Sequence, residues 1–86
     1  MKKTFTDRGW ADYERWLTVD SKTLIRINKL IKDIERNGLL GGIGKPEHLK
    51  GRNEYSRRID EKNRLVYTQD ENGTLVILAC KGHYED

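Results

Sequence analysis

The stretch "EYSRRIDEKNRLVYTQDENGTLVILAC", residues 54–80, decides the fold. It holds three strand candidates, "EYSRRI" (54–59), "RLVYTQ" (64–69) and "TLVILAC" (74–80), rich in β-branched and aromatic residues. The connections "DEKN" and "DENG" are short enough for hairpins. Asn72-Gly73 predicts a two-residue turn that sets Glu71 opposite Thr74, Tyr67 opposite Leu78, Leu65 opposite Cys80 and Arg64 opposite Lys81. Opposed residues share a face of a sheet. One side therefore gathers Leu65, Tyr67, Val76, Leu78 and Cys80, and the other Arg64, Val66, Ala79, Lys81 and, by alternation, His83. A three-residue loop at Glu61-Lys62-Asn63, with Asn63 left-handed, adds Arg58 to the cationic side and turns Ile59 to the core. A two-residue loop would bury Arg58 instead, at much greater cost. Arg57 falls on the apolar side and is expected to reach out at the rim.

Upstream, the periodicity changes. Leu24, Ile27, Ile31 and Ile34 recur at helical spacing with Leu30 beside them, begun by Asp20 or Ser21 and stopped by Gly38. The opposite stripe carries Lys22, Arg26, Lys29 and Arg36 with Asp33 among them. It reads as a solvated face or, more specifically, as a surface for phosphates. An earlier helix, capped by Thr6 or Asp7, carries Trp10, Tyr13, Trp16 and Leu17 despite Gly9 near its start. "KKTF" (2–5) reads as a first strand. The order is β-α-α-β-β-β: an α+β fold with two N-terminal helices packed on one face of a small antiparallel sheet, expected to be a single domain over residues 1–86.

Composition narrows the function classes. Of the 86 residues 36% are charged, and mean hydropathy is −0.88, yet the apolar positions are periodic, which argues for a folded domain rather than disorder. The net charge of +3 is too small by itself to imply nucleic-acid binding. Cys80, the one cysteine, excludes an intrachain disulfide and a cysteine-based zinc site. "MKKTFTDRGW" lacks the apolar core of a signal peptide, and no apolar run approaches membrane-spanning length. A cytoplasmic protein without membrane contact is expected.

The glycine-rich "GIGKPEHLKG" (42–51) places one carboxylate, Glu47, between Lys45 and Lys50, directly after Pro46. Because this loop enters the first hairpin strand, it can fold over the cationic face and present Glu47 to Arg58, Arg64, Lys81 and His83. A carboxylate, an imidazole and guanidiniums suit metal-free RNA cleavage. Glu47 would take the proton of the ribose 2′-hydroxyl as base, His83 would protonate the leaving 5′-oxygen, and the arginines would stabilise the phosphate charge. Plainer readings exist: Glu47 paired with Lys50, Arg58 and Arg64 paired with Asp60 and Glu61, Tyr84 as packing or as a stacking ring for a base. His48 ranks lower, and Cys80 reads as a small core hydrophobe.

The sequence resembles the YoeB/Txe toxins of the RelE/ParE toxin–antitoxin superfamily. The resemblance runs through "W-A-D-Y-x-x-W" from Trp10, "I-N-K-L-I-K-D-I" from Ile27, "G-I-G-K-P-E-x-L-K" from Gly42, "S-R-R-I" from Ser56, "N-R-L-V-Y" from Asn63 and "H-Y" at 83–84. It implies a RelE-like microbial RNase fold and a ribosome-dependent mRNA endonuclease that cuts in the A site without metal or other cofactor. The general base would be Glu47, the general acid His83 and the transition-state arginine Arg64. Lys50 and Arg58 would contact phosphate, Lys81 would add to that surface, and Tyr84 would support the site. The implied partners are a YefM-like antitoxin and the ribosome, through rRNA and A-site mRNA. Operator DNA would be bound only through the antitoxin complex, and a homodimer is possible. A non-catalytic ribosome or RNA binder and a ParE-like gyrase-directed toxin are the alternatives. Gly38-Leu39-Leu40 stands where the family commonly has Pro-Phe, "GRNEY" is shorter than usual, Tyr55 replaces a common tryptophan, and Glu85-Asp86 extend past the usual end.

Overall fold

The computed structural model describes residues 1–82. Strand β1 (Lys3–Phe5) leads into helix α1 (Asp7–Val19), then α2 (Ser21–Asn37), β2 (Glu47–His48), β3 (Tyr55–Arg58), β4 (Arg64–Gln69) and β5 (Leu75–Ala79). The expected architecture is present with two additions. The sheet is mixed, in the order β1-β5-β4-β3-β2. β1 runs parallel to β5, and the two-residue β2 forms the other edge, antiparallel to β3.

Both helix starts follow from local chemistry. The Thr6 hydroxyl accepts from the Gly9 N–H at 3.1 Å, and the Asp20 carboxylate accepts from the N–H groups of Lys22 and Thr23. Gly38 closes α2, its N–H donating to the Ile34 carbonyl at 2.8 Å. Gly9 is explained by packing. A Cβ there would stand 2.3 Å from the Ile77 carbonyl oxygen, so α1 can lie on β5 only with glycine at this turn.

The core joins Ile27, Leu30, Ile31 and Ile34 of α2 to Leu65 and Tyr67 of β4, Leu75 and Ile77 of β5, and Ile59 and Cys80. Each fully buried leucine or isoleucine contributes roughly 2 kcal/mol relative to exposure. Phe5, Tyr13, Trp16, Leu39 and Tyr55 close its margin.

Several expectations about register and burial need correction. The second hairpin turns over three residues: Asp70 N–H donates to the Thr74 carbonyl and Gly73 N–H to the Asp70 carbonyl. The Asp70 carboxylate fixes this turn by accepting from the N–H groups of Asn72 and Thr74, both at 2.9 Å. A bulge then restores the expected alignment at one pair: Tyr67 opposes Ile77, but Val66 opposes Ala79. Leu75 and Ile77 are therefore the core residues, and Val76 and Leu78, expected there, are only partly buried. In the first hairpin the loop is Asp60–Lys62, and Arg58 opposes Arg64 directly. The pairing moves by two residues, so every side chain keeps its expected face. Asn63 is not left-handed. The Asp60 carboxylate instead accepts from the N–H groups of Lys62 and Asn63.

The expectations for Arg57 and Asp33 also need correction. Arg57 does not reach the rim: it is 0% exposed. Asp33, expected on the solvated stripe, turns toward it and accepts from its Nη1. A guanidinium can be interior here because all of its nitrogens find acceptors.

Candidate functional site

Glu47 projects from the short β2, opposite Ser56 of β3. The next strand brings Arg64 up beside it. Glu47 Oε1 lies 3.4 Å from Arg64 Nη1 and accepts from Ser56 Oγ at 3.4 Å. Arg58 faces Arg64 across the β3–β4 ladder on the same side of the sheet and is exposed. The expected meeting of Glu47, Arg58 and Arg64 on one face is therefore present.

Two features suit this cluster to a ligand. The Glu47 side chain is 55% exposed and that of Arg64 25%. An ion pair so open to water contributes at most about 1 kcal/mol, so an incoming phosphate could replace it at little cost. Both contacts of Glu47 are long, as catalytic hydrogen bonds often are before substrate arrives. The plainer pairings give way: Glu47 meets Arg64 rather than Lys50, and Asp60 is committed to its own turn. Hydrogen bonds from that turn, the Asn63 amide first among them, outweigh burial and hold the Asp60 carboxyl below its ordinary pKa.

The remaining candidates are distributed more widely. Lys50 is exposed in the turn after β2. Lys81 is exposed and lines a small cleft with Arg15, Trp16 and Val19, beside α1. His48 is engaged locally: its Nε2 donates to the Arg52 carbonyl at 2.6 Å and its ring stacks on Tyr55 at 4.8 Å. His83 and Tyr84 lie outside the described residues.

The chain leading to those two positions is held from both sides. Trp16 Nε1 donates to the Cys80 carbonyl at 2.8 Å, and the Cys80 N–H donates to Asp12 Oδ2 at 3.1 Å. Gly82 donates its N–H to Asn63 Oδ1 at 2.8 Å and accepts from the Arg64 N–H at 3.1 Å. Asp12, Trp16 and Asn63 thus fix residues 80–82 beside Arg64. The sequence reading assigned these three residues no such contacts, although Asp12 and Trp16 belong to the quoted "W-A-D-Y-x-x-W". Ser56 was also missed, and only its alternation with Arg58 along β3 could have signalled it.

Comparison with known proteins bears on the fold and the family. Residues 5–84 match the model of the YoeB-like toxin of bacterial type II toxin-antitoxin system. A YoeB toxin of Streptomyces coelicolor is 48% identical over 86 residues, covering 98% of this chain and 100% of the relative. The Staphylococcus aureus YoeB dimer superposes with a TM-score of 0.90 at 45% identity, over 98% of each chain. In the heterotetrameric YoeB–YefM toxin–antitoxin complex of Staphylococcus aureus the matching chain gives 0.88 at 46%, again over 98% of both. Strand order, helix placement and sequence identity thus converge, and the chain belongs to the YoeB toxin family of the RelE/ParE-like toxin–antitoxin superfamily.

Proposed function

We propose that this toxin is a ribosome-dependent mRNA endonuclease that inhibits translation by cutting the A-site codon. The observation that carries the reading is the exposed Glu47–Arg64 pair, 3.4 Å apart, with Arg58 opposite Arg64 on the same face. Glu47 takes the proton of the ribose 2′-hydroxyl, and the freed oxygen attacks the adjacent phosphorus. Arg64 leaves Glu47 for the non-bridging oxygens, where charge accumulates as the P–O5′ bond breaks. Arg58 and Lys50 hold flanking phosphates, with Lys81 extending the surface. His83 supplies the proton to the departing 5′-oxygen, and Tyr84 supports the site. The products are a 2′,3′-cyclic phosphate and a 5′-hydroxyl. None of these steps uses a metal or other cofactor.

The partners follow from the same reading. Relatives form a YoeB–YefM complex and a YoeB dimer, so a YefM-like antitoxin is the expected inhibitor and a homodimer an expected free form. Operator DNA would be met only through the antitoxin complex. The whole chain acts as one toxin domain in the cytoplasm, where ribosomes are; no described helix is long and apolar enough to cross a membrane.

The test is primer extension on a defined mRNA, with programmed ribosomes and with naked RNA, comparing the parent chain with Glu47→Ala. New 5′ ends inside the A-site codon that require both ribosomes and Glu47 are the expected result. Ribosome binding without cleavage overturns the enzymatic reading in favour of a non-catalytic binder.

A further inference from the structure

Glu47 sits on a strand of two residues, preceded by a loop that should be poorly ordered. Gly38, Gly42 and Gly44 have positive φ, as does Lys45 at 50°. Glycines lose the most freedom on ordering. A two-residue strand cannot by itself offset that loss. Something else must set the position of Glu47.

The loop backbone is instead held from the interior by Arg57. Its Nη2 donates to the carbonyls of Gly38 at 2.7 Å and Gly41 at 2.6 Å, and its Nη1 to that of Ile43 at 2.9 Å. Nη1 also donates to Asp33 Oδ2, and Nε donates to Tyr67 Oη at 3.0 Å. The secondary partners bind the same loop. Asp33 Oδ2 accepts from the Ile43 N–H at 2.9 Å, and Tyr67 Oη donates to the Leu39 carbonyl at 2.6 Å. The loop fits so closely that a Cβ at Gly42 would stand 1.8 Å from Asp33 Oδ2.

Arg57 also lies between the two β3 residues that address the site. Ser56 donates to the Glu47 carboxylate, and the Arg58 N–H donates to the Gly44 carbonyl at 2.6 Å. Three consecutive residues of β3 thus reach the loop from the core side, the carboxylate from the open side, and the backbone between them.

We infer that the buried Arg57 and Tyr67, with the partly buried Asp33, form a clamp whose function is to position Glu47 against Arg64, making them positioning residues for the cleavage reaction. The inference rests on the proposed role of Glu47 as base. The clamp acts by fixing the loop that carries the base. A displacement of about 1 Å at a reacting group can cost about 100-fold in rate, so loosening this loop should slow cleavage while binding persists.

The experiment measures single-turnover cleavage at saturating programmed ribosomes for Tyr67→Phe and Asp33→Asn, each alone and in a Glu47→Ala background. Folded fraction by circular dichroism and ribosome affinity by filter binding are measured at the same temperature. Tyr67→Phe keeps the ring and removes only the hydroxyl, which protects the test against simple unfolding. The expected result is a loss of about 10- to 100-fold in the single variants, with affinity within about twofold, full folding, and no further loss beyond Glu47→Ala. A rate that follows the folded fraction, an unchanged rate in both single variants, or an undiminished extra loss on top of Glu47→Ala overturns the clamp. If Glu47→Ala itself cleaves like the parent, the base assignment fails and takes the clamp with it. A damaging Glu47→Ala beside silent clamp variants sinks the clamp alone.

Discussion

Arg64 shows how much one residue's role depends on what it can release. Its present partner is a half-exposed carboxylate at 3.4 Å, a contact too weak to hold it as structure. Arg64→Ala should reduce saturated cleavage by about 100- to 1,000-fold, the range for removing one donor to a developing charge. Ribosome affinity should change by less than about tenfold, since many other cations remain. Parallel losses in both would place Arg64 in binding and not in the chemical step. Cys80 represents the opposite case. Burial first, with the Asp12 carboxylate adding to it, pushes its thiol up to about 12. At pH 8 only about one such thiol in ten thousand is ionised, so the folded toxin should react with a disulfide reagent at least about 100-fold slower than the urea-unfolded chain. Equal rates would show that the strand end opens freely. The inert role of Cys80 was legible from register alone. The pairing of Glu47 with Arg64 was legible as a shared face, but its geometry was not, because it depends on a glycine loop whose path is set by distant partners.

At the scale of elements, what could be read depended on whether the determining chemistry was local. The helix caps were legible to within one residue, as Thr6 or Asp7 and Asp20 or Ser21, and the apolar rows of α2 were legible too, because their causes lie within a few residues. The β4–β5 register was not. Asn72-Gly73 is a strong two-residue turn signal, but the Asp70 carboxylate captured the turn and the bulge at Val66/Tyr67 compensated. Arg57 was misplaced for a related reason. Binary patterning treats arginine as exposed, and nothing nearby in sequence reveals that Asp33 and three loop carbonyls await it. Gly9→Ala tests the α1–β5 contact directly. Helix propensity would favour alanine, but the clash with the Ile77 carbonyl should prevail and cost about 1–3 kcal/mol in urea unfolding. A stabilised variant would show that α1 can move off the strand.

The Asp33 link between α2 and the loop predicts a pH dependence. Burial alone would raise the Asp33 carboxyl, but hydrogen bonds from the Ile43 N–H, Arg57 and Asn37 outweigh it and leave it lowered. A carboxyl depressed in the folded state contributes stability above its ordinary value, about 3.9, and loses it as pH falls through the folded value. Asp33→Asn should therefore flatten the fall in stability below about pH 4, measured as the urea midpoint against pH. An unchanged acid limb would mean that other carboxylates govern it.

At the scale of the whole molecule, the sheet order separates two surfaces. The Glu47–Arg64 cluster occupies the β2–β3–β4 edge, while an apolar groove of about 420 Å³ including Phe5, Trp10 and Tyr13 lies at the β1 edge. Charge is also divided. Lys29, Lys32 and Arg36 of α2 line a shallow cleft with Asp33 and Ile43, on the helix behind the clamp. The sequence identified Lys29 and Arg36 as part of a basic stripe, without Lys32, and could not choose between solvation and phosphate contact, since either use leaves the side chains in water. If the stripe meets ribosomal phosphates, Lys29→Glu, Lys32→Glu and Arg36→Glu should each weaken ribosome binding. Each should also lower the slope of log affinity against log salt by roughly 0.7–0.9 per lost contact. Cleavage at saturating ribosomes should stay near the parent rate, because the stripe lies outside the Glu47–Arg64 cluster. Unchanged affinity and slope would identify it as a solvated face. A fall in saturated cleavage would mean that the same helix transmits a disturbance through Asp33 to the loop, which the clamp variants can distinguish.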